Sequence, residues 1–357
     1  MTLFLKNEEV EQVLTIDDAI AGMEIAFSDL AKGEAVNRPR SHSYAQLAED
    51  TFYCLKTMDG VIPRLGVAAI RLTSDITYEP SIGGLRRLEK LRLLPGNKYL
   101  GLVLLFSIHN GELLAIMQDG FLQTMRVGAT SALAARCLAR ENSHVVGLFG
   151  TGGQAGPQLQ GLCAVRKISK VKLYSPNEEH RRNFARIWEK RLEIEIQVED
   201  EARPVVQGVD IVAAATSSLD PVFSGDWLEP GQHVNSLQSG ELDRKTYERA
   251  SVVATRATER STFYMTGKQI PRQFLKTQHF TSEFEPKLRT LGGLLNKTEI
   301  GRISTEEITL FGGTGTGPSS GLGIQFAAVG IKIYEAARKK GLGWEIDSEL
   351  FCEDIQP

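Results

Sequence analysis

The feature that most constrains this chain is Val145-Val146-Gly147-Leu148-Phe149-Gly150-Thr151-Gly152-Gly153-Gln154-Ala155, an apolar run that breaks into a glycine turn and then into helix-compatible sequence. In a strand-turn-helix unit the first glycine permits the tight turn and the second lets the backbone approach a pyrophosphate. A small residue at the Ala155 position then allows close packing of helix on strand. The new helix points free N–H groups and the positive end of its dipole at the phosphates. The turn alone is a weak signal, but its context strengthens it. Strand-like segments Val171 to Tyr174, Ile194 to Val198, Asp210 to Ala215, His233 to Leu237 and Ser251 to Thr255 follow, with helix-compatible spacers. The pattern predicts an α/β fold containing a Rossmann-like, doubly wound dinucleotide-binding domain. Gly150, Thr151, Gly152, Gly153, Gln154 and Ala155 are its candidate cofactor-binding residues.

Upstream, Thr15 to Lys32 reads as a helix: Thr15 is the N-cap, Asp18 lies three positions on, Ile20, Met23, Phe27 and Leu30 recur at helical spacing, and Gly33 is the stop. Strand patterns occupy Thr51 to Met58, Gly66 to Thr73, Leu100 to Ile108 and Glu112 to Met117, the last two joined by the hairpin signal Asn110-Gly111. Tyr78 to Asn97 is rich in glycine, proline and basic residues (Arg86, Arg87, Lys90, Arg92), which predicts a solvated loop or, alternatively, a substrate lid. An alanine-dense helix, Arg126 to Arg140, leads into the nucleotide-binding strand and forms the joint between the two halves. Ile308 to Phe311 resumes a strand. The run Gly312-Gly313-Thr314-Gly315-Thr316-Gly317-Pro318 is too glycine-rich for regular structure, and it either closes over the cofactor or simply connects. Leu322 to Lys340 predicts a second helix rich in small residues that returns to the first half. The expected division is a β-rich α+β domain from residues 1–125 with 305–357, and the Rossmann-like domain from 126–304.

The chain's 357 residues, 42% of them hydrophobic, can bury a sizeable core, and its net charge of -3 gives no global attraction to nucleic acid or to an acidic membrane. Cys54, Cys137, Cys163 and Cys352 are scattered without C-x-x-C spacing and read as free thiols of a reducing compartment. The acidic N-terminus has no apolar signal region, and no uncharged apolar run approaches the ~20 residues needed to span a bilayer, so a cytoplasmic location is expected. The histidines show no H-x-x-x-H or carboxylate-paired spacing, so no metal site is expected.

Further motifs carry a family resemblance. Pro39-Arg40, the strand Gly111-Glu112-Leu113-Leu114-Ala115-Ile116-Met117, the helix Met125-Arg126-Val127-Gly128-Ala129-Thr130-Ser131-Ala132, the Gly150 turn, Asp210-Ile211-Val212-Ala213-Ala214-Ala215-Thr216, and Trp227-Leu228-Glu229-Pro230-Gly231 together resemble the ornithine cyclodeaminase/mu-crystallin family. The resemblance covers nearly the whole chain. It implies an NAD(P)-dependent protein, usually a homodimer formed through its β-rich domains, that acts on amino acids or the imines derived from them. It also makes the first domain the substrate-binding and dimerisation domain.

A substrate α-carboxylate needs a cationic fork, which planar guanidinium groups supply. Arg40 and Arg126 occupy positions where the family places such arginines, Arg71 is expected to hold the carboxylate with them, and His42, close to Arg40, is the histidine expected to face the substrate. The family's catalytic lysine aligns with Arg71, a permanent cation, which leaves Lys56 on the neighbouring strand as an alternative proton shuttle. Cyclodeaminases carry an aspartate after the fifth Rossmann strand. Here Gly240 stands at that position, and Glu241, one place on, could substitute only if the loop is rearranged. This favours reduction of an imine or ketimine, or the reverse amino-acid oxidation, over ornithine-type cyclodeamination or a non-catalytic, crystallin-like ligand-binding role. At the end of the second Rossmann strand, Ser175 and Asn177 supply no carboxylate to repel a 2′-phosphate, and Arg181 and Arg182 follow. This favours NADP, with NAD possible. Thr216, Ser217 and Ser218 fall where the family's nucleotide contacts lie.

Overall fold

The computed structural model describes residues 1–82, 84–258, 261–267, 280–312 and 321–353. Two large sheets organise them. The first has ten strands and follows the path Thr262–Thr266, Ser41–Ala48, Thr51–Ile62, Val67–Tyr78, Leu100–Ser107, Leu113–Gln118, Thr2–Leu5 and Trp344–Ile346, with Val36–Asn37 and Glu89–Lys90 paired alongside. In its central antiparallel pair every second residue turns inward: Phe52, Cys54, Lys56, Met58 and Ile62 from one strand, and Val67, Ala69, Arg71, Thr73, Asp75 and Thr77 from the other. That inner face changes character along its length. It is apolar at Met58, Ile62, Val67 and Ala69, and carries charge at Lys56, Arg71 and Asp75.

Helix Gly323–Lys340 returns to cover the apolar end, as its small residues predict. Contact is backbone to backbone, because a Cβ on Gly323 would overlap the main chain of Asp59 and one on Gly60 would meet Ile324 N at 2.5 Å. The charged stretch of the sheet therefore begins at the level of the helix's first turn. Helix Ile16–Lys32 is built as its sequence predicts, with the Thr15 side chain accepting from Asp18 N and Gly33 closing the end at φ 73. Its Met23, Ala26 and Phe27 are fully buried in the same core as Phe326 and Ile324, and each large apolar side chain so buried contributes about 1.5–3 kcal/mol.

The second sheet has eight strands, all parallel, in the order Glu195–Val198, Lys170–Tyr174, Val145–Phe149, Ile211–Ala214, His233–Ser236, Thr309–Phe311, Val252–Thr255 and Leu288–Thr290. Chain order runs outward from Val145–Phe149 on one side and then restarts with Ile211–Ala214 on the other. This reversal opens a crevice at the carboxyl ends of those two strands, where ligands of such sheets bind.

The expected domain division needs two exchanges. Strand Thr262–Thr266, inside 126–304, pairs with Ser41 to Ala45 of the first sheet, while Thr309–Phe311, inside 305–357, inserts between two strands of the second. Hydrogen-bond register, which composition does not report, decides both. The helix expected from Arg126 begins earlier and spans Gly120–Leu138, so Arg126 lies in its second turn. Tyr78 to Asn97 is not a plain solvated loop, since Leu85–Arg86 and Glu89–Lys90 form short strands. Beyond Gly312, the glycine-rich run to Pro318 lies outside the described residues.

Candidate active site

The glycine turn follows the Val145–Phe149 strand directly. Gly150 adopts φ 101, and a Cβ there would overlap the Ala215 carbonyl oxygen at the end of the neighbouring strand. Gly152 and Gly153 face open space, and a Cβ added to either would meet nothing within 4 Å. That opening, at the start of helix Ala155–Val165, is a cradle that suits a pyrophosphate. Ala155 is fully buried, and Gly156 behind it abuts the Trp188 ring. Thr151 Oγ1 lies 3.4 Å from Ser175 Oγ, joining the loop to the end of the second strand. Asn177 caps helix Glu178–Leu192 through His180 N.

Arg181 departs from expectation. Its guanidinium is buried, donates to the Ser175 carbonyl (2.6 Å) and to Asp200 (2.9 Å), and lies over the Tyr174 ring. It holds the strand end in place and is not presented to a 2′-phosphate. Arg182, on the exposed face of the same helix, pairs with Glu178.

Glu241 also departs from expectation. It is fully buried, and its carboxylate accepts from Thr216 N (2.6 Å), Thr216 Oγ1 (2.7 Å), Ser236 Oγ (2.9 Å), Leu237 N (2.9 Å) and Gln238 N (2.9 Å). Burial pushes its carboxyl up, against the pull of those donors. Every contact is internal, so Glu241 ties together the ends of two Rossmann strands and is not poised as a substrate acid. Ser217 and Ser218 are likewise engaged: Ser217 Oγ donates to Glu89 (2.9 Å) and Ser218 Oγ to the Asp220 carbonyl (2.7 Å). The 85–90 segment docks here. Arg86 forks onto the Asp220 carboxylate, and Leu88 N donates to the Ser217 carbonyl (3.2 Å).

The cationic residues converge on the inner face of the first sheet. Register places His42 opposite Lys56, Lys56 opposite Thr73, and Met58 opposite Arg71. Lys56 Nζ lies 3.4 Å from Asp75, whose other oxygen takes Lys90 (2.9 Å). Burial lowers the Lys56 ammonium to about 8. Burial alone would raise Asp75, but Lys90 and Lys56 more than offset it and hold it below the usual carboxylate range. Arg71 donates twice to Asp119 (2.9 and 2.5 Å), so its charge is neutralised. Among the described residues Arg126 donates only to a neutral partner, Gln325 Oε1 (3.0 Å), and burial followed by the nearby charge of Arg71 holds it well below the ordinary arginine value. Burial and then Arg71 lower Arg40 to about 10. His42 is fully buried against Phe263, and burial with the charges of Arg40, Lys56 and Arg71 pushes it down to about 2, so it is a neutral imidazole.

The two halves of the site meet through a pair of helices. Gln154 donates to Gln123 (2.9 Å), one turn before Arg126, and Gly128 packs so closely on Pro157 that a side chain would overlap its carbonyl. The arginine helix thus runs beside the start of the phosphate-loop helix. A model of the ornithine cyclodeaminase/mu-crystallin family matches residues 95–341. The chain belongs to that family.

Among similar proteins, the Delta(1)-pyrroline-2-carboxylate reductase of Bacillus cereus is 30% identical over 87% of this chain and 96% of its own. The alanine dehydrogenase of Archaeoglobus fulgidus is 28% identical over 97% of this chain and 98% of its own. The solved structure of Thermococcus litoralis Delta(1)-pyrroline-2-carboxylate reductase in complex with NADH and L-proline superposes with a TM-score of 0.77 at 26% identity, covering 97% of this chain and 100% of that one.

Within this ornithine cyclodeaminase/mu-crystallin fold, sequence reasoning missed the counter-charges. Asp75 and Asp119 are buried beside Lys56 and Arg71, and alternation with other inward residues of its strand was the signal available for Asp75. Arg256, buried after the Val252–Thr255 strand and lying over Phe311 (5.1 Å), was also missed. No helix among the described residues is long and apolar enough to cross a membrane.

Proposed function

We infer that this protein is an NAD(P)H-dependent oxidoreductase acting on C–N bonds, reducing the imine of an α-amino acid. The observation that carries the reading is the Arg126 guanidinium: buried, held among the described residues only by a neutral glutamine, and set one helix away from an open glycine cradle. A buried cation so placed calls for an anion, and the α-carboxylate of the substrate supplies it. Arg40 assists Arg126, while Arg71, already paired with Asp119, fixes the position of the fork rather than completing it.

The residues present fit a nicotinamide dinucleotide, with Gly150, Gly152 and Gly153 cradling the pyrophosphate and Thr151 and Ser175 bordering it. When bound, the dinucleotide supplies the hydride that reduces the imine carbon. The nitrogen gains the electron pair of the broken π bond and requires a proton. Lys56 is the donor we assign: its lowered affinity for that proton suits transfer near neutral pH, and Asp75 and Lys90 hold its ammonium in place. His42, neutral and packed against Phe263, shapes the wall of the site and takes no part as an acid. Glu241, bound by its own donors, leaves no acid where cyclodeamination would use one.

Two finer readings go with this. Ser175 presents no carboxylate, and Arg182, paired with Glu178, lies on an open groove with Asn177, Glu179, Asn183 and Arg186. We therefore expect NADPH to bind more tightly than NADH, with Arg182 and not Arg181 beside the 2′-phosphate. The outward face of the first sheet carries Ile70, Leu72, Leu102, Leu104 and Ile116 in register and only partly buried, which supports a homodimer that pairs these sheets. The test of the main reading is steady oxidation of NADPH or NADH on addition of cyclic imino acids, or of 2-oxo acids with ammonium. Ammonia release from ornithine with no net change in reduced cofactor would replace it with cyclodeamination.

A further inference from the structure

Arg256 and Arg126 stand on two rings of one apolar cluster. Arg126 lies 5.0 Å over Phe326, Arg256 lies 5.1 Å over Phe311, and both rings are fully buried in the same core. Arg126 is 6% exposed and Arg256 4%, and the Nε of each is buried without a hydrogen-bond partner. Among the described residues no carboxylate forms an ion pair with either. Buried donors of this kind are seldom left unmatched, and two guanidinium groups close together repel. Arg71 pairs with Asp119 through Oδ2 alone and Lys56 pairs with Asp75, while the charge of Asp119, whose Oδ1 takes no hydrogen bond, is felt at Arg126 without an ion pair.

With the substrate α-carboxylate assigned to Arg126, Arg256 remains a second buried cation without an ion pair among the described residues. The cofactor's pyrophosphate does not reach Arg256. The Val252–Thr255 strand lies four positions along the sheet from Val145–Phe149, about 19 Å at ordinary strand spacing. Arg256 follows the carboxyl end of its strand, on the edge where such sheets bind ligands and on the side away from the phosphate loop.

We propose that the substrate is the imine of a dicarboxylic amino acid, with Arg126 taking its α-carboxylate and Arg256 its second carboxylate. The proposal rests on the imine-reductase reading for its chemistry, and on Arg126 and Arg256 alone for its second anion. The atoms balance as before: hydride forms the new C–H bond, the C=N π bond breaks, and the nitrogen takes one proton. The distal carboxylate is unchanged.

The experiment has two arms. In the first, NADPH oxidation is measured with ammonium and pyruvate, oxaloacetate or 2-oxoglutarate, and with Δ1-pyrroline-2-carboxylate. The dicarboxylic 2-oxo acids should give kcat/KM about 30-fold above the monocarboxylates, and R256Q should abolish that preference. In the second, calorimetry measures binding of L-aspartate, L-glutamate, L-alanine and L-proline to the wild-type protein with NADP. The dicarboxylic amino acids should bind more tightly, a result that does not depend on a variant folding. Equal or better use of the monocarboxylates overturns the proposal and leaves imine reduction standing. A fall in NADPH affinity in R256Q with substrate preference intact also overturns it, by assigning Arg256 to the cofactor. Tight, Arg256-dependent binding of dicarboxylic amino acids with no imine reduced overturns the reductase reading and keeps the second carboxylate.

Discussion

Arg71 and Arg126 lay their guanidinium groups against one phenyl ring, that of Phe326, at 5.5 and 5.0 Å. One comes from a β-strand and the other from the helix that joins the sheets, yet their electrostatic states differ. Arg71 is neutralised by Asp119, whereas among the described residues Arg126 has only an amide. The ring attracts both cations through its quadrupole, and in the proposed reading the difference in partners directs an incoming carboxylate to Arg126.

Replacing Arg126 by glutamine should therefore raise KM for the imino acid about 100-fold, with the dissociation constant of NADPH little changed. Steady-state kinetics and fluorescence titration of the cofactor separate the two. A loss confined to cofactor binding would remove Arg126 from the substrate clamp.

As the proposed proton donor, Lys56 should give the reaction a pH limit. Burial sets its ammonium at about 8, so the proton donor is present below that pH and is lost as pH rises through it. The kcat/KM profile should fall on its alkaline side near this value. Asp75 raises Lys56 by its charge, so D75N should move the limb to lower pH. K56M should lower kcat by about 100-fold or more. An alkaline limb unmoved in D75N counts against Lys56 as the donor.

The turn glycines should separate stability from binding. G150A forces a side chain into the Ala215 carbonyl at a positive φ, and should cost about 3 kcal/mol in thermal unfolding. G152A meets nothing within 4 Å, so melting should be nearly unchanged while NADPH affinity falls about tenfold or more. Equal cofactor affinity in G152A and wild type would place the pyrophosphate elsewhere.

Glu241 should behave as a structural residue. In E241Q one oxygen becomes an NH2 that faces backbone N–H groups, and we expect a loss of about 3 kcal/mol with kcat of the folded fraction close to wild type. A stable variant with greatly reduced kcat would return Glu241 to the chemistry.

The sheet-pairing dimer predicts that L104E, which places a charge between Ile70 and Ile116, yields a folded monomer. Sedimentation velocity at several concentrations reads the result directly.

The sequence by itself determined whatever depends on neighbours along the chain. Thr15 and Gly33 bracket their helix because capping is satisfied within a few residues. The Gly150 turn is legible because a tight turn and an open approach each require glycine locally. Arg40, Lys56, Arg71 and Arg126 could be named, the first and last two from family positions and Lys56 from its neighbouring strand.

Tertiary structure alone decided what those residues are free to do. Glu241 and Arg181 look available in sequence, yet Glu241 is engaged by Thr216 and Arg181 by Asp200, partners that strand pairing brings within reach. Arg71 and Arg126 read alike until Asp119 and Gln325 arrive from distant segments to distinguish them. A hydrogen bond between residues far apart in the chain leaves no local pattern, because its partners are chosen by the packing of the whole, and it is these bonds that separate a structural charge from one left for a ligand.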